Sequence, residues 1–280
     1  MKTIGFVDYY INEWHANNYP AWIKSVSEKY GLKYEVRYAW AELDESPLYG
    51  KTTDEWCSEN GIEKCDTIEE LCEKSDYIMI LSPSDPQKHL EYAQKVLKFG
   101  KATYIDKTFA PNRETAEEIF EVAKENNVNI FSSSALRYAS ELDNYNDVTA
   151  VITTGGGVII DEYIIHQVEM VVKLFNAAPV KVKVEKQGKQ YCCKVIFDNE
   201  KEAIMLFDQA LPFSVCAEDD EGISKFYEIK SEYFIEFLKS VLLFFESNEI
   251  PFDYMQTINI ISICDAVVKA KNTLGEWICL

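Results

Sequence analysis

The sequence has little positive charge and no long apolar run. Its 28 basic residues face 47 acidic ones, so the formal net charge is −19 at neutral pH. Such a surface repels the phosphates of nucleic acids and of anionic lipids, which argues against both as partners. The most apolar segment, Ser240–Phe245, is far too short to span a bilayer, and the N-terminus lacks the apolar stretch of a signal peptide. We therefore expect a cytoplasmic protein that binds neither nucleic acid nor membrane.

Patterns typical of metal sites and disulfide frameworks are also missing. Eight cysteines are present, but none forms a Cys-x-x-Cys pair, and several stand within apolar patterns. Buried free thiols in a reducing compartment explain them most simply. Because no group of ligands has the spacing of a zinc site, we predict that the protein holds no metal.

The first half of the chain alternates short apolar strands with helical patterns. Tyr77–Leu81 is apolar throughout, as expected of a strand that is buried on both faces. Helices are predicted over Tyr19–Tyr30, Pro86–Phe99 and Arg113–Asn126. This alternation indicates a parallel, doubly wound sheet.

The pattern changes after about Tyr138. A glycine turn at Gly155–Gly157 leads into a helix predicted over Asp161–Phe175, and apolar strands then follow one another closely. Two further helices come near the end of the chain. We therefore predict an α/β protein with a Rossmann-like doubly wound parallel sheet in residues 1–138. An α+β domain with an open, largely antiparallel sheet should follow in residues 139–280.

Polar residues follow two of the predicted strands in the first domain. Asp106 and Lys107 stand just past a strand, at the sheet edge where open α/β sheets bind ligands. A lysine there can donate a proton or orient a hydroxyl, although most lysines are simply solvated. Ser82 and Pro83 form a loop after another strand, and His89 lies in the first turn of the next helix. A capping loop and a cofactor-contacting loop explain these three residues equally well.

The helix that follows the glycine turn carries a second candidate site. Glu162 and His166 are four residues apart on one face, and a histidine beside a carboxylate can act as a general base. A solvated Glu–His pair is the simpler alternative, and Asp161 is most simply the N-cap. The opposite face is apolar and should pack inward, through Ile164, Val168, Val171 and Phe175.

The chain resembles the glucose-fructose oxidoreductase / inositol dehydrogenase (Gfo/Idh/MocA) family in four stretches. In order, these are “SPSDPQKHLEYA”, “FGKATYIDKTFA”, “SSSALRYA” and “GGGVIIDEYIIH”. The resemblance implies a Rossmann domain, an α+β domain and homo-oligomerisation. It also implies that NAD or NADP oxidises or reduces a hydroxyl of a sugar or cyclitol.

The resemblance also implies roles for single residues. The Glu-Lys-Pro motif of the family becomes Asp106-Lys107-Thr108, so Lys107 would contact both the substrate and the nicotinamide. His166 matches the general base of the family, with Glu162 or Asp161 as its acidic partner. If the two domains pack as the family implies, Lys107 and His166 should lie within reach of one small ligand.

The glycines of the dinucleotide fingerprint are missing from the first turn. The family has Gly-x-Gly-x-x-Gly where this chain reads “VDYYINEWH”, so Asp8, Tyr9 and Tyr10 would line the cofactor site. Glycine lets the backbone approach the pyrophosphate. The carboxylate of Asp8 would repel that pyrophosphate by roughly 4 kcal/mol per contact at about 4 Å in a dielectric near 20.

Three functional hypotheses remain open at this point. The chain is an NAD(P)-dependent oxidoreductase acting on a sugar-like polyol, or it is a family-derived binding protein or subunit that has lost the dinucleotide site. A third hypothesis is an enzyme that uses the same residues for elimination or isomerisation without nicotinamide. We predict that NAD(H) and NADP(H) bind more weakly than to relatives that keep the glycines.

Overall fold

The computed structural model describes all 280 residues and divides into two compact units. Unit 1 consists of residues 1–110, 114–132 and 238–252, and unit 2 of residues 111–113, 133–237 and 253–280. The main changeover lies between Ser132 and Ser133, whereas the predicted domains meet at residues 138 and 139. No local pattern in the sequence indicates that a later helical segment belongs to unit 1.

Unit 1 is built on a parallel sheet of six strands in the order β3-β2-β1-β4-β5-β6. The strands are β1 Lys2–Asp8, β2 Tyr34–Ala41, β3 Glu63–Lys64, β4 Tyr77–Ile80, β5 Thr103–Ile105 and β6 Ile130–Phe131. The helices between them are α1 Trp14–Tyr30, α2 Thr53–Asn60, α3 Ile68–Lys74, α4 His89–Val96 and α5 Arg113–Glu125. The strand order reverses between β1 and β4, which confirms the predicted Rossmann-like arrangement.

Helix ends in unit 1 mostly follow local rules. Thr52 and Thr67 cap α2 and α3 through their side chains, as threonine at an N-cap does. Gly31 ends α1 in the left-handed region at φ +70°. However, α1 begins at Trp14 rather than at the predicted Tyr19, because a buried side chain caps it at that earlier point.

Unit 2 is built on a mixed sheet of seven strands in the order β12-β11-β7-β10-β9-β8-β13. Only β7 and β10 pair in parallel, and the other neighbours are antiparallel, which confirms the predicted largely antiparallel sheet. The strands are β7 Val148–Gly155, β8 Pro179–Gln187, β9 Gln190–Phe197, β10 Glu202–Phe207, β11 Ser214–Asp219, β12 Ser224–Glu228 and β13 Trp277–Cys279. The later helices are α6 Ile160–Phe175, α7 Tyr233–Ser247 and α8 Tyr254–Ala270.

Helix α6 lies over one face of this sheet, beside α8. Its predicted apolar face is buried, as expected from the helical spacing: Ile164, Val168, Val171 and Phe175. Because apolar side chains of both helices share one core with the inward residues of the strands, the start of α6 has a fixed position in unit 2. None of the helices of the protein is both long and apolar enough to cross a membrane.

Candidate functional site

Asp8 joins two loops at the carboxyl edge of the unit 1 sheet. It ends β1, and its Oδ1 atom accepts hydrogen bonds from the backbone amides of Tyr9 and Ser82 at 2.7 and 3.0 Å. Ser82 follows β4 and adopts a φ of +54°, in the left-handed region. Pro83, next in this loop, is partly exposed. Three of the predicted cofactor-site residues, Asp8, Tyr9 and Ser82, are therefore joined by hydrogen bonds to the Asp8 carboxyl group.

The carboxyl group of Asp8 is buried, and one of its two oxygen atoms has no hydrogen-bond partner. Its exposed fraction is 1%, and its Oδ2 atom has no hydrogen-bond partner. Burial raises the pKa of Asp8 well above its ordinary value, and repulsion from Glu13 and then Asp106 adds to this, against the hydrogen bonds from the backbone. Asp8 therefore holds a proton more readily than an exposed aspartate does, at a position where the family fingerprint has a glycine.

The turn between β1 and α1 is filled by its own side chains. Tyr10, Ile11, Asn12 and Glu13 are all buried. The Glu13 carboxylate caps α1 by accepting hydrogen bonds from the backbone amides of His15, at 2.8 Å, and of Ala16. Burial raises the pKa of Glu13, while the charge of His15 and these amides oppose the rise.

Glu13 is the residue that the sequence analysis missed. Asp8, Tyr10 and Glu13 have the spacing of Gly-x-Gly-x-x-Gly, so all three fingerprint glycines are replaced, and the third replacement is also acidic. A glutamate directly before an apolar helical pattern was the sequence signal that could have indicated this helix cap. In a dinucleotide-binding turn, free amides at the start of this helix bind the pyrophosphate. Here the amides of the first turn already bind a carboxylate of the chain itself.

These residues do not fit a dinucleotide in its usual position. Glycines normally leave room for the pyrophosphate and expose the backbone amides to it. In this protein buried side chains take up the turn, and two of them are carboxyl groups. The family resemblance supports binding of NAD or NADP, whereas the filled turn between β1 and α1 argues against binding in the usual position.

Asp106 and Lys107 follow β5 at the same sheet edge. Asp106 is fully buried and accepts hydrogen bonds from His15 Nδ1, from the Tyr104 hydroxyl at 2.9 Å and from the Lys107 amide at 2.8 Å. Burial alone would raise the pKa of Asp106, but the charge and hydrogen bond of His15, the charge of Lys107 and the hydrogen bond from Tyr104 outweigh it and lower the pKa. Lys107 is partly buried, its ammonium group has no ion-pair partner, and the peptide bond to Thr108 is cis.

His89 connects two loops and offers no ring nitrogen to a ligand. It is fully buried, with Nδ1 at 3.0 Å from the Phe109 carbonyl oxygen and Nε2 at 2.5 Å from the Leu81 carbonyl oxygen. Burial lowers its pKa, against these two hydrogen bonds. These two hydrogen bonds support the interpretation in which His89 holds the loops, and its contact with a cofactor stays a prediction.

In unit 2, the imidazole of His166 contacts a serine of a preceding segment. The Ser134 hydroxyl lies 2.7 Å from His166 Nδ1, and the rings of Tyr163 and Phe213 meet the imidazole edge-on. Glu162 is exposed and makes no hydrogen bond.

Asp161 binds Lys271 at 2.6 Å, and the N-cap is Ile159. The prediction that Asp161 is the N-cap is therefore wrong, because the helix begins at Ile160, before Asp161. An acidic partner for His166 stays a prediction. The partner of His166, Ser134, could not be found from spacing within the helix.

A buried ion pair supports Ser134. Glu169 Oε1 accepts the Ser134 amide at 2.7 Å, and Glu169 Oε2 accepts a hydrogen bond from Arg137 Nη1 at 3.2 Å. Burial raises the pKa of Glu169, and Arg137 opposes this. Lys107 belongs to unit 1 and His166 to unit 2, so their approach to one ligand stays a prediction.

Residues 47–134 match the family model of the Gfo/Idh/MocA oxidoreductases with an NAD-binding Rossmann fold. The resemblance to the Gfo/Idh/MocA family is confirmed. A comparison with curated proteins finds no match. The matched Gfo/Idh/MocA segment includes the Asp106-Lys107-Thr108 motif and begins after the altered first turn.

Solved structures share the fold of this chain over nearly its whole length. A probable dehydrogenase from Thermotoga maritima is 12% identical, with a TM-score of 0.78 and coverage of 99% of this chain and 98% of the other. A myo-inositol dehydrogenase candidate from Sinorhizobium meliloti is 13% identical (TM-score 0.73, coverage 100% and 99%). UDP-N-acetylglucosamine 3-dehydrogenase from Acidithiobacillus ferrooxidans is 11% identical (TM-score 0.74, coverage 97% of both). At these identities the likeness shows the fold alone.

Proposed function

We propose that this protein is a sugar- or cyclitol-directed protein of the Gfo/Idh/MocA type that works without a dinucleotide in the usual place. One observation carries the proposal: the Glu13 carboxylate accepts the amides of His15 and Ala16, which start α1. These are the donors that a pyrophosphate would need. An anion that came to the same place would have to displace a buried carboxylate.

Electrostatics support the same conclusion. Asp8, Glu13 and Asp106 are all nearly or fully buried near this edge, and the imidazole of His15 pairs with Asp106. A pyrophosphate about 4 Å from one ionised carboxylate loses roughly 4 kcal/mol in a dielectric near 20. This exceeds what one additional hydrogen bond usually contributes, about 1 kcal/mol.

A polyol ligand is supported by the remaining chemistry and by the relatives. The Lys107 ammonium group can donate to a hydroxyl or carbonyl oxygen, and His166, held by Ser134, can exchange a proton with a hydroxyl. Structurally similar proteins are described as dehydrogenases of inositol and of a nucleotide sugar. With no hydride acceptor at the usual place, binding, elimination or isomerisation of such a ligand is the chemistry we propose.

A nucleotide panel tests the proposal. Purified protein is mixed with NAD⁺, NADH, NADP⁺ and NADPH, and binding is followed by thermal shift and nicotinamide fluorescence. We expect no micromolar binding of any of the four. The triple variant Asp8→Gly/Tyr10→Gly/Glu13→Gly should bind NAD(H) more tightly than the natural chain, because it removes two carboxyl groups and frees the amides of α1.

The matched control for this panel is Glu55→Gly. Glu55 also lies at the start of a helix in unit 1, but it is exposed and far from the first turn in sequence. It should lower stability without changing nucleotide binding. Micromolar binding of a dinucleotide to the natural chain would contradict the proposal.

The second candidate function is an NAD(P)-dependent oxidoreductase for a sugar-like hydroxyl. It is favoured by the ammonium group of Lys107, which forms no direct ion pair, and by the Ser134–His166 contact. Under this alternative the cofactor would bind in a way that avoids the first turn. Substrate-dependent reduction of NAD⁺ or NADP⁺ that is lost in Lys107→Met and in His166→Ala, with unchanged melting temperatures, would establish it.

A further inference from the structure

Unit 1 contains a histidine–aspartate pair that the proposed function leaves without a role. His15 Nδ1 donates a hydrogen bond to the Asp106 carboxylate, which also accepts from the Tyr104 hydroxyl and the Lys107 amide. Asp106 is fully buried. Three donors around one buried carboxylate stabilise its ionised form, and the pKa of Asp106 is lowered although burial acts in the opposite direction.

The imidazole of His15 is held in one orientation. It stacks on the Tyr19 ring at 5.0 Å with an interplanar angle of 20°, and the Trp14 ring meets it at 5.3 Å. The side chain of His15 keeps 9% of its surface exposed, and Nε2 forms no hydrogen bond. When the ring is neutral, the ionised carboxylate on Nδ1–H leaves the lone pair on Nε2. A fixed imidazole whose neutral form has its lone pair on an unbonded Nε2 has the arrangement of a general base.

We propose that His15 is a proton-transfer residue, positioned by Asp106, for an uncharged hydroxyl-bearing ligand at the carboxyl edge of the unit 1 sheet. The proposal rests on the proposed function, since it takes this edge to be free of a dinucleotide. In the transfer, the O–H bond of the ligand breaks, its oxygen keeps the electron pair, and a new N–H bond forms at Nε2. The positive charge on the ring then faces the Asp106 carboxylate, and the reverse step returns the proton.

The charge of the surroundings selects the class of ligand. Asp8 and Glu13 add two further buried carboxyl groups near this edge, while Lys107 is the nearby ammonium group. The ionised carboxylate of Asp106 repels anions, so a neutral polyol is favoured over a phosphorylated or carboxylated one. Hydroxyl groups can also donate to Nε2 directly.

Nuclear magnetic resonance of the full chain tests the pair without any ligand. The chain has three histidines, at positions 15, 89 and 166, so ¹⁵N-histidine labelling gives few signals to assign. We expect His15 at neutral pH to carry its proton on Nδ1 when neutral. Diethyl pyrocarbonate, which acylates an accessible unprotonated imidazole nitrogen, should modify His15 faster than His89, whose two nitrogens both bind backbone carbonyls.

Two variants of Asp106 provide the comparison. Asp106→Asn should lose the Nδ1–H preference and slow the acylation of His15 several-fold, whereas Asp106→Glu, which keeps a carboxylate, should restore both. If Asp106→Asn does not fold, the proposal is tested by the tautomer of His15 in the natural chain alone. A proton on Nε2 of His15, or acylation no faster than that of His89, would overturn the proposal.

The same reagent separates this inference from the proposed function. Acylation is repeated with NAD⁺ present. Unchanged labelling of His15 is expected. Protection of His15 by NAD⁺ would contradict the proposed function. The tautomer of His15 tests the His15–Asp106 pair independently of that result.

Discussion

At the scale of single residues, the chain places acids where related folds need glycine. Asp8 is the clearest case, because its Oδ2 atom is buried and has no partner. A buried polar group without a hydrogen bond costs about 1–3 kcal/mol. Such a cost indicates a residue kept for its chemistry or for its hydrogen bonds to Tyr9 and Ser82, and not for stability.

Replacing Asp8 should therefore stabilise the protein in a pH-dependent way. The folded state raises the pKa of Asp8, mainly through burial and through Glu13 and Asp106, above an unfolded value of about 3.9. Its favourable contribution is complete below that unfolded pKa and is lost as pH rises toward the folded pKa. Asp8→Asn cannot ionise and still accepts the two amides, so it should raise the melting temperature at neutral pH by a few degrees.

Thermal unfolding between pH 4 and pH 8 measures this effect. One pKa unit corresponds to about 1.4 kcal/mol, and the gain of Asp8→Asn should disappear near pH 4. Asp220→Asn, at an exposed position, serves as the control and should follow the natural chain. A variant at Asp8 that is no more stable than the natural chain at neutral pH would show that Asp8 is not buried in this way.

At the scale of elements, close backbone approach fixes the turn before α6. A Cβ atom on Gly156 would lie 2.7, 2.8 and 2.9 Å from the backbone oxygens of Asp208, Gln209 and Leu211. Backbone cannot move aside as a flexible side chain can. This turn leads directly to the helix that carries His166, so the glycine sets where that helix starts.

Gly156→Ala should therefore destabilise the protein by about 1–3 kcal/mol, the usual cost of overpacking. Denaturant unfolding gives the loss. The control is Gly61→Asn at the end of α2, where φ is +65° and no atom lies within 4 Å, because asparagine tolerates the left-handed region. Equal stability of Gly156→Ala and the natural chain would mean that the β7–α6 turn is looser than the structure shows.

At the scale of the whole molecule, the outer face of the second sheet is apolar in its centre. Phe226, Cys216, Ile152 and Ile204 lie side by side across four neighbouring strands. Phe226 and Ile152 are 64% and 44% exposed. Contiguous exposed apolar surface of this kind is typical of protein interfaces.

We accordingly expect a homo-oligomer that uses this face. Light scattering after size exclusion should give more than one chain per particle, and Phe226→Glu/Ile152→Lys should shift the particle to a single chain without loss of helical signal. Lys33→Glu, on an exposed position of unit 1, is the control and should leave the mass unchanged. A monomer for the natural chain at micromolar concentration would contradict this prediction.

Periodicity and composition in the sequence determined the architecture, because both record local chemistry. The apolar run of β4, the glycine after α1 and the helical spacing of Ile164 and Val168 each depend on neighbours within one or two turns. The family motifs added the positions of Lys107 and His166.

Only the tertiary structure decided what surrounds those positions. His15 meets Asp106, 91 residues away, and Ser134 meets His166, 32 residues away. No period relates such residues. The order of parallel strands brings β1 and β5 to one edge, and that order depends on how the helices cover the sheet. The role of Glu13 was likewise decided by the tertiary structure. Only the fold buries its carboxylate against the amides at the start of α1, where a pyrophosphate would otherwise bind.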